Sequence, residues 1–249
     1  MCTCSWIRTA DGYDLMFNRD EQWSRQPALL PRLLVRNGAR YLAPIDADAG
    51  GTWLGVNAFG LSIGLLNRYQ DTAPVATRAP TVVSTSRGVL VRNLLDARTP
   101  AEVRERVESL ELERFQPFTL IVIAVAPPAL MLEWNGMALT IDDAADAQNP
   151  LASSSFETGA ALDYRRELWG RIVAAQPTTD AQRSFHASQE PGRAAYGPCM
   201  RRDDAHTVSF SWIRVRPNEI TFEYVPTALC DARPQPPFHV SIKPAAAYR

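Results

Sequence analysis

CTCSWIRTADGYDLMFNRDE, residues 2–21, holds two short apolar runs separated by Ala10-Asp11-Gly12. Asp-Gly between two such runs marks a β-hairpin, because the pair accepts the positive backbone angles of a tight hairpin turn. Residues 2–7 and the run from Gly12 to Phe17 are therefore read as the opening strands of an antiparallel sheet. The polar NRDEQWSRQPA that follows is expected to leave that sheet. Cys2 and Cys4, two apart on the first strand, share one of its faces.

Outward from this hairpin the same punctuation recurs. Strand-like runs at 40–44, 52–57 and 60–66 are set off by Gly50-Gly51 and Phe59-Gly60. Ser86-Arg87-Gly88 precedes VLVRNLLDA, whose apolar residues fall at helical spacing. Thr99-Pro100-Ala101-Glu102 supplies an N-cap, a proline at the first helical position and an acid at the third, opening a helix to about residue 110. Runs at 118–126, 129–134 and 137–142 read as a three-stranded meander turned by Pro127-Pro128 and Asn135-Gly136. Helices are expected at about 160–174 and 180–188, then a last hairpin, 207–215 and 219–225, split by Pro217-Asn218. The Pro-rich tail, about 230–249, is expected to be irregular. Hairpin connections favour antiparallel sheets over alternating β-α units. The reading is an α+β fold of two antiparallel sheets packed face to face under covering helices, in one domain spanning 1–249.

Composition narrows the function. Hydrophobic residues make up 46% and charged residues 21%, ordinary for a globular protein. A net charge of −1 gives no reason to expect nucleic acid or an anionic membrane as partner. No run approaches the roughly 18 apolar residues of a membrane span, and the N-terminus lacks a basic start before an apolar stretch, so a cytoplasmic location is expected. Cys2, Cys4, Cys199 and Cys230 do not suggest a disulfide framework in that setting, and with no CxxC pair and scattered histidines no metal or cofactor is expected.

Cys2 carries the chemistry. Removal of Met1 would expose a residue bearing both a thiol and an α-amine, and the amine's reference pKa of about 7.7–8.0 lets it take the thiol proton. Arg19 and Asp20, just after the second strand, lie where an arginine would favour thiolate and a carboxylate would orient the amine. The four residues 18–21 (NRDE), with Met1-Cys2, GGTWLGVN at 50–57, SRG at 86–88 and CMRRDDAHTVSFS at 199–211, resemble the NRDE family, also called the transport and Golgi organisation family.

That family is similar to N-terminal nucleophile (Ntn) hydrolases of the bile salt hydrolase and penicillin V acylase type, which implies an αββα sandwich. The resemblance implies Cys2 as nucleophile, Arg19 as the site arginine, and Asn67, ending GLSIGLLN, as an oxyanion donor. The hydrolases place the aspartate three residues beyond the arginine; here Asp20 is adjacent and Glu21 two away, with Asn18 as a possible support. LASSSF offers Ser153 and Ser154 where the pattern has a second asparagine, and a helix-capping role competes for them. Trp53 and Arg202 are weaker candidates for substrate contact. The implied activity is a cysteine hydrolase or acyltransferase acting on a non-peptide C–N bond of a small amide or acyl substrate. The alternative is a non-catalytic haem or lipid carrier in which Cys2 or Cys4 is a soft ligand.

Overall fold

The computed structural model describes residues 2–69 and 85–245. The chain opens with β1 (Cys2–Thr9) and β2 (Gly12–Gln22), continues through β3 (Leu29–Arg36), β4 (Ala39–Ile45), β5 (Leu54–Asn57) and β6 (Ser62–Asn67), and then enters α1 (Arg87–Leu94) and α2 (Pro100–Glu108). The meander β7 (Phe118–Ile123), β8 (Leu130–Trp134) and β9 (Leu139–Asp142) follows, then the short β10 (Leu151–Ser153). α3 (Thr158–Trp169) runs into a π-helical turn, Gly170–Ala174, before α4 (Thr179–His186) and the strands β11 (Ala205–Val215), β12 (Ile220–Val225) and β13 (Phe238–Ile242).

The strands form two antiparallel sheets. One has the order β10-β1-β2-β11-β12-β13 and the other β3-β4-β5-β6-β7-β8-β9. Their facing sides share a core in which Cys4, Trp6, Leu15 and Phe17 meet Leu54, Val56 and Ile121. Tyr13 pins the sheets together, its Oη 2.7 Å from Ser62 Oγ and 3.1 Å from the carbonyls of Gly60 and Ile123. On the outer face of the seven-stranded sheet, Leu90, Val91 and Leu94 of α1 and Val103 and Val107 of α2 pack on Ile63, Leu120 and Val122. Tyr164, Leu168 and Phe185 of α3 and α4 form the matching outer layer on the six-stranded sheet. The layers are helix, sheet, sheet, helix.

Several sequence expectations change. β2 does not stop at Phe17 but carries NRDE into the sheet as far as Gln22. A polar run stays there because distant partners satisfy it: Asn18 Nδ2 donates to the carbonyls of His186 (2.8 Å) and Pro198 (2.7 Å), and Thr207 donates to Asp20 at 2.6 Å. β3 is an edge strand, which tolerates the interior Pro31 that hides it from a pattern reading. The tail contributes β13, paired to β12 from Ile220↔Ile242 to Tyr224↔Phe238. Cys199 and Cys230, not expected to pair, form a disulfide with Cα atoms 6.2 Å apart. It ties the segment before β11 to the segment after β12. α2 starts as read, with Thr99 accepting the Glu102 N–H and Pro100 at the first position.

Candidate functional site around Cys2

Cys2 occupies the first position of β1, flanked in register by Arg19 of β2 and Ser153 of β10. Directly opposed residues share a sheet face, so Cys2, Arg19 and Ser153 all face the second sheet. Cys2 is 7% exposed and borders a cavity of about 120 Å³ whose other walls include Thr52, Trp53, Asn67 and Arg87. Burial pushes its thiol up to about 11, against the pull of the positive charge at the chain start and of the Asp20 backbone N–H, which bonds the thiol. Arg19, expected to favour the thiolate, borders the same cavity. Its guanidinium is held by Asp46 at 2.9 Å and lies 4.1 Å above the Trp53 ring. Arg19 therefore shapes the cavity wall.

The two candidate carboxylates part company. Glu21 lines the cavity, 3.5 Å from Arg19 and 3.9 Å from Arg25. Asp20 projects from the other face of β2, toward α3. There Thr207 Oγ1 donates to one carboxylate oxygen at 2.6 Å, and Arg165 lies 3.6 Å from the other. Burial raises the Asp20 carboxyl, opposed by the Arg165 guanidinium. Arg165 is itself 1% exposed and donates to Thr3 Oγ1 (2.7 Å), the Cys2 carbonyl (3.2 Å) and the Tyr196 carbonyl (2.9 Å). One buried cation thus grips both the start of β1 and the carboxylate beside it.

Asn67 ends β6 at the boundary between the Cys2 cavity and a second one of about 380 Å³, and its Nδ2 reaches Tyr69 Oη at 3.2 Å. Ser153 lines the second cavity, its buried Oγ without a hydrogen-bond partner among the described residues. Ser154 closes a turn instead, donating to the Phe156 carbonyl at 2.7 Å and accepting the Phe156 N–H. Asn18 faces the helix layer and fastens loops rather than lining the cavity. Arg202 pairs with Asp204 at 2.8–2.9 Å and lies over Phe156, outside the lining of the Cys2 cavity.

A model of the Transport and Golgi organisation 2 family matches residues 1–157, more than half of the 249. The chain belongs to the Transport and Golgi organisation 2 family. Curated protein sequences provide no match. Solved structures do. A Caenorhabditis elegans ortholog of N-acylethanolamine-hydrolyzing acid amidase is 15% identical with a TM-score of 0.58, over 86% of this chain and 92% of that one. A cysteine-to-alanine mutant of conjugated bile acid hydrolase from Clostridium perfringens is 12% identical with a TM-score of 0.54, over 98% and 92%. Penicillin V acylase from Agrobacterium tumefaciens is 15% identical with a TM-score of 0.50, over 90% and 82%. At such identities the likeness is one of fold: the αββα sandwich of Ntn hydrolases.

For this member of the Transport and Golgi organisation 2 family, the geometry explains why its separated motifs occur together. NRDE supplies Arg19 and Glu21 to the Cys2 cavity, GGTW supplies Thr52 and Trp53, and SRG supplies Ser86, Arg87 and Gly88. The segment 199–211 lies beyond the matched residues, yet its Thr207 bonds Asp20. Arg165 and Asp46 escaped the sequence reading. Arg165 left a trace, since it falls with Ala161, Tyr164 and Leu168 on the buried stripe of α3, where an arginine demands a partner. Asp46 left none. No group of His, Cys, Asp and Glu among the described residues is arranged to hold a metal, and none of their helices is long and apolar enough to cross a membrane.

Proposed function

We propose that this chain is an N-terminal-cysteine hydrolase or acyltransferase that cleaves a non-peptide C–N bond in a small-molecule amide. The observation that carries this reading is the placement of Cys2: a strand-start thiol beside a cavity, between Arg19 and Ser153, anchored by Arg165. A thiol held up by burial is a poor nucleophile unless a base takes its proton on the spot. Removal of Met1 places such a base, the α-amine, on Cys2 itself, and the buried Asp20 carboxylate is at hand to hold the resulting ammonium.

The sulfur then adds to the amide carbonyl, and the negative oxygen is met by Asn67 at the cavity boundary. Collapse breaks the C–N bond, the α-ammonium returns its proton to the departing amine, and the acyl group stays on sulfur as a thioester. Water, or an acceptor amine, cleaves the thioester and restores the thiol. The fold neighbours include a hydrolase of N-acylethanolamines and an acylase of penicillin V, both in keeping with an amide substrate.

Intact mass spectrometry before and after exposure to a p-nitrophenyl ester tests the proposal. The expected result is a chain lacking Met1 that gains one acyl group, with the gain absent in Cys2→Ala and retained in Cys4→Ala. A chain that keeps Met1, or acylation unchanged by Cys2→Ala, would overturn it.

A further inference from the structure

We propose that the substrate carries a carboxylate, and that this carboxylate sits in the Cys2 cavity against Arg87, the first turn of α1 and the indole N–H of Trp53; the proposal rests on the hydrolase reading above.

Three guanidinium groups, Arg19, Arg25 and Arg87, border the cavity with two carboxylates, Glu21 and Asp46. The carboxylates are already engaged. Asp46 takes Arg19 at 2.9 Å and Arg25 at 2.6 Å and accepts the N–H groups of Asp48 and Ala49, and these contacts hold it below the usual carboxylate range despite burial. Glu21 lies against the same two arginines. Arg87 is the cation without a close partner. One of its nitrogens donates to the Pro117 carbonyl at 2.8 Å, and among the described residues no carboxylate lies within ion-pair distance, Glu21 acting on it only from further off. A half-buried guanidinium with no close counter-charge among the described residues is stabilised when an anion joins it.

The surroundings favour the same occupant. α1 begins at Arg87; the Ser86 carbonyl accepts the Val89 N–H at 3.0 Å, but the Ser86 side chain makes no cap to the first turn. The helix reaches this position because Gly51 and Gly88 touch: a Cβ on Gly51 would lie 2.3 Å from the Gly88 carbonyl carbon. Trp53 is an independent pointer. It lines the cavity and is 6% exposed, yet its Nε1–H has no acceptor among the described residues. A guanidinium and an indole N–H on one cavity of about 120 Å³ suit a planar carboxylate, whose two oxygens can take one donor each. The rest of the substrate has the larger cavity beyond Asn67 to occupy.

The test uses two amides matched in shape, N-succinyl and N-butanoyl anilide, with the mature chain. The expected kcat/KM favours the succinyl compound by about tenfold or more, the scale of one hydrogen bond to a charged group. The preference is lost in Arg87→Met. Equal rates, or a preference that Arg87→Met leaves intact, would overturn the carboxylate site while leaving the hydrolase standing. Should neither amide turn over, calorimetric titration with butanoate decides the anion site alone. Binding to the wild-type chain that weakens in Arg87→Met supports it, and no binding to the folded chain overturns it. Trp53→Phe, which removes the indole N–H together with the five-membered ring, is expected to weaken butanoate as well and serves if Arg87→Met does not fold. Inorganic phosphate displacing butanoate at equal concentration would overturn the carboxylate assignment.

Discussion

At the scale of single residues, the ionisable groups buried behind the site are held there by partners. The Asp20–Arg165 pair, 0% and 1% exposed at the side chain, is the clearest case. Removing one member strands the other, so Arg165→Met is expected to cost about 3–5 kcal/mol in urea unfolding, with part of the loss recovered in the Asp20→Asn/Arg165→Met double variant. His186 is a second case. Ser5 Oγ accepts from Gln182 Nε2 at 2.9 Å and is hydrogen-bonded to His186 Nε2 at 2.8 Å. Burial, helped by the charge of Arg165, drops the His186 pKa from 6.5 to about 3. The folded value lies below the unfolded one, so the unfolded chain binds the extra proton. Stability is therefore whole above pH 6.5 and falls with acid down to about pH 3, by on the order of 1 kcal/mol per pH unit. Unfolding midpoints between pH 7 and pH 4 measure this, and His186→Gln should flatten the slope.

At the scale of elements, the decisive contact is that of α1 with the start of β5. Gly51→Ala would bring a methyl within 2.6 Å of Val89 N as well as 2.3 Å of the Gly88 carbonyl carbon, all backbone that cannot swing aside. The helix must back away, with an expected loss of about 1–3 kcal/mol and of acylation at Cys2. Gly159→Ala in the first turn of α3, where nothing lies within 4 Å, is the contrasting change. It should leave acylation unaltered and hold or raise stability by up to about 1 kcal/mol. Denaturant melts and the ester-labelling assay separate the two outcomes. Element by element, the helices and the meander were legible because their apolar periods and turn residues are local. β10 was not: three residues make a strand only because Cys2, Thr3 and Cys4 lie alongside to pair with them.

At the scale of the whole molecule, the Cys199–Cys230 disulfide closes a long loop around β11 and β12, with a sequence separation of 31. Reduction, or the Cys199→Ser/Cys230→Ser double variant, is expected to lower unfolding stability by about 2–4 kcal/mol, read from melts with and without reductant. A bond of this kind persists in oxidising surroundings, which sequence spacing alone did not suggest. The loop matters to the site because Pro198, beside Cys199, holds Asn18 through its carbonyl. By itself the sequence determined the layered α+β fold and the hairpin that begins at Cys2, which follow from short-range rules: apolar alternation, turn residues, caps. The motifs holding Arg19, Trp53 and Arg87, which turn out to share a cavity, were marked by their family resemblance. Only the tertiary structure decided that NRDE stays in the sheet, that Asp20 faces Arg165 while Glu21 faces the cavity, and that Arg19 belongs to Asp46. A buried charge is stable only with its partner, and those partners lie up to 187 residues away, as Thr207 does from Asp20.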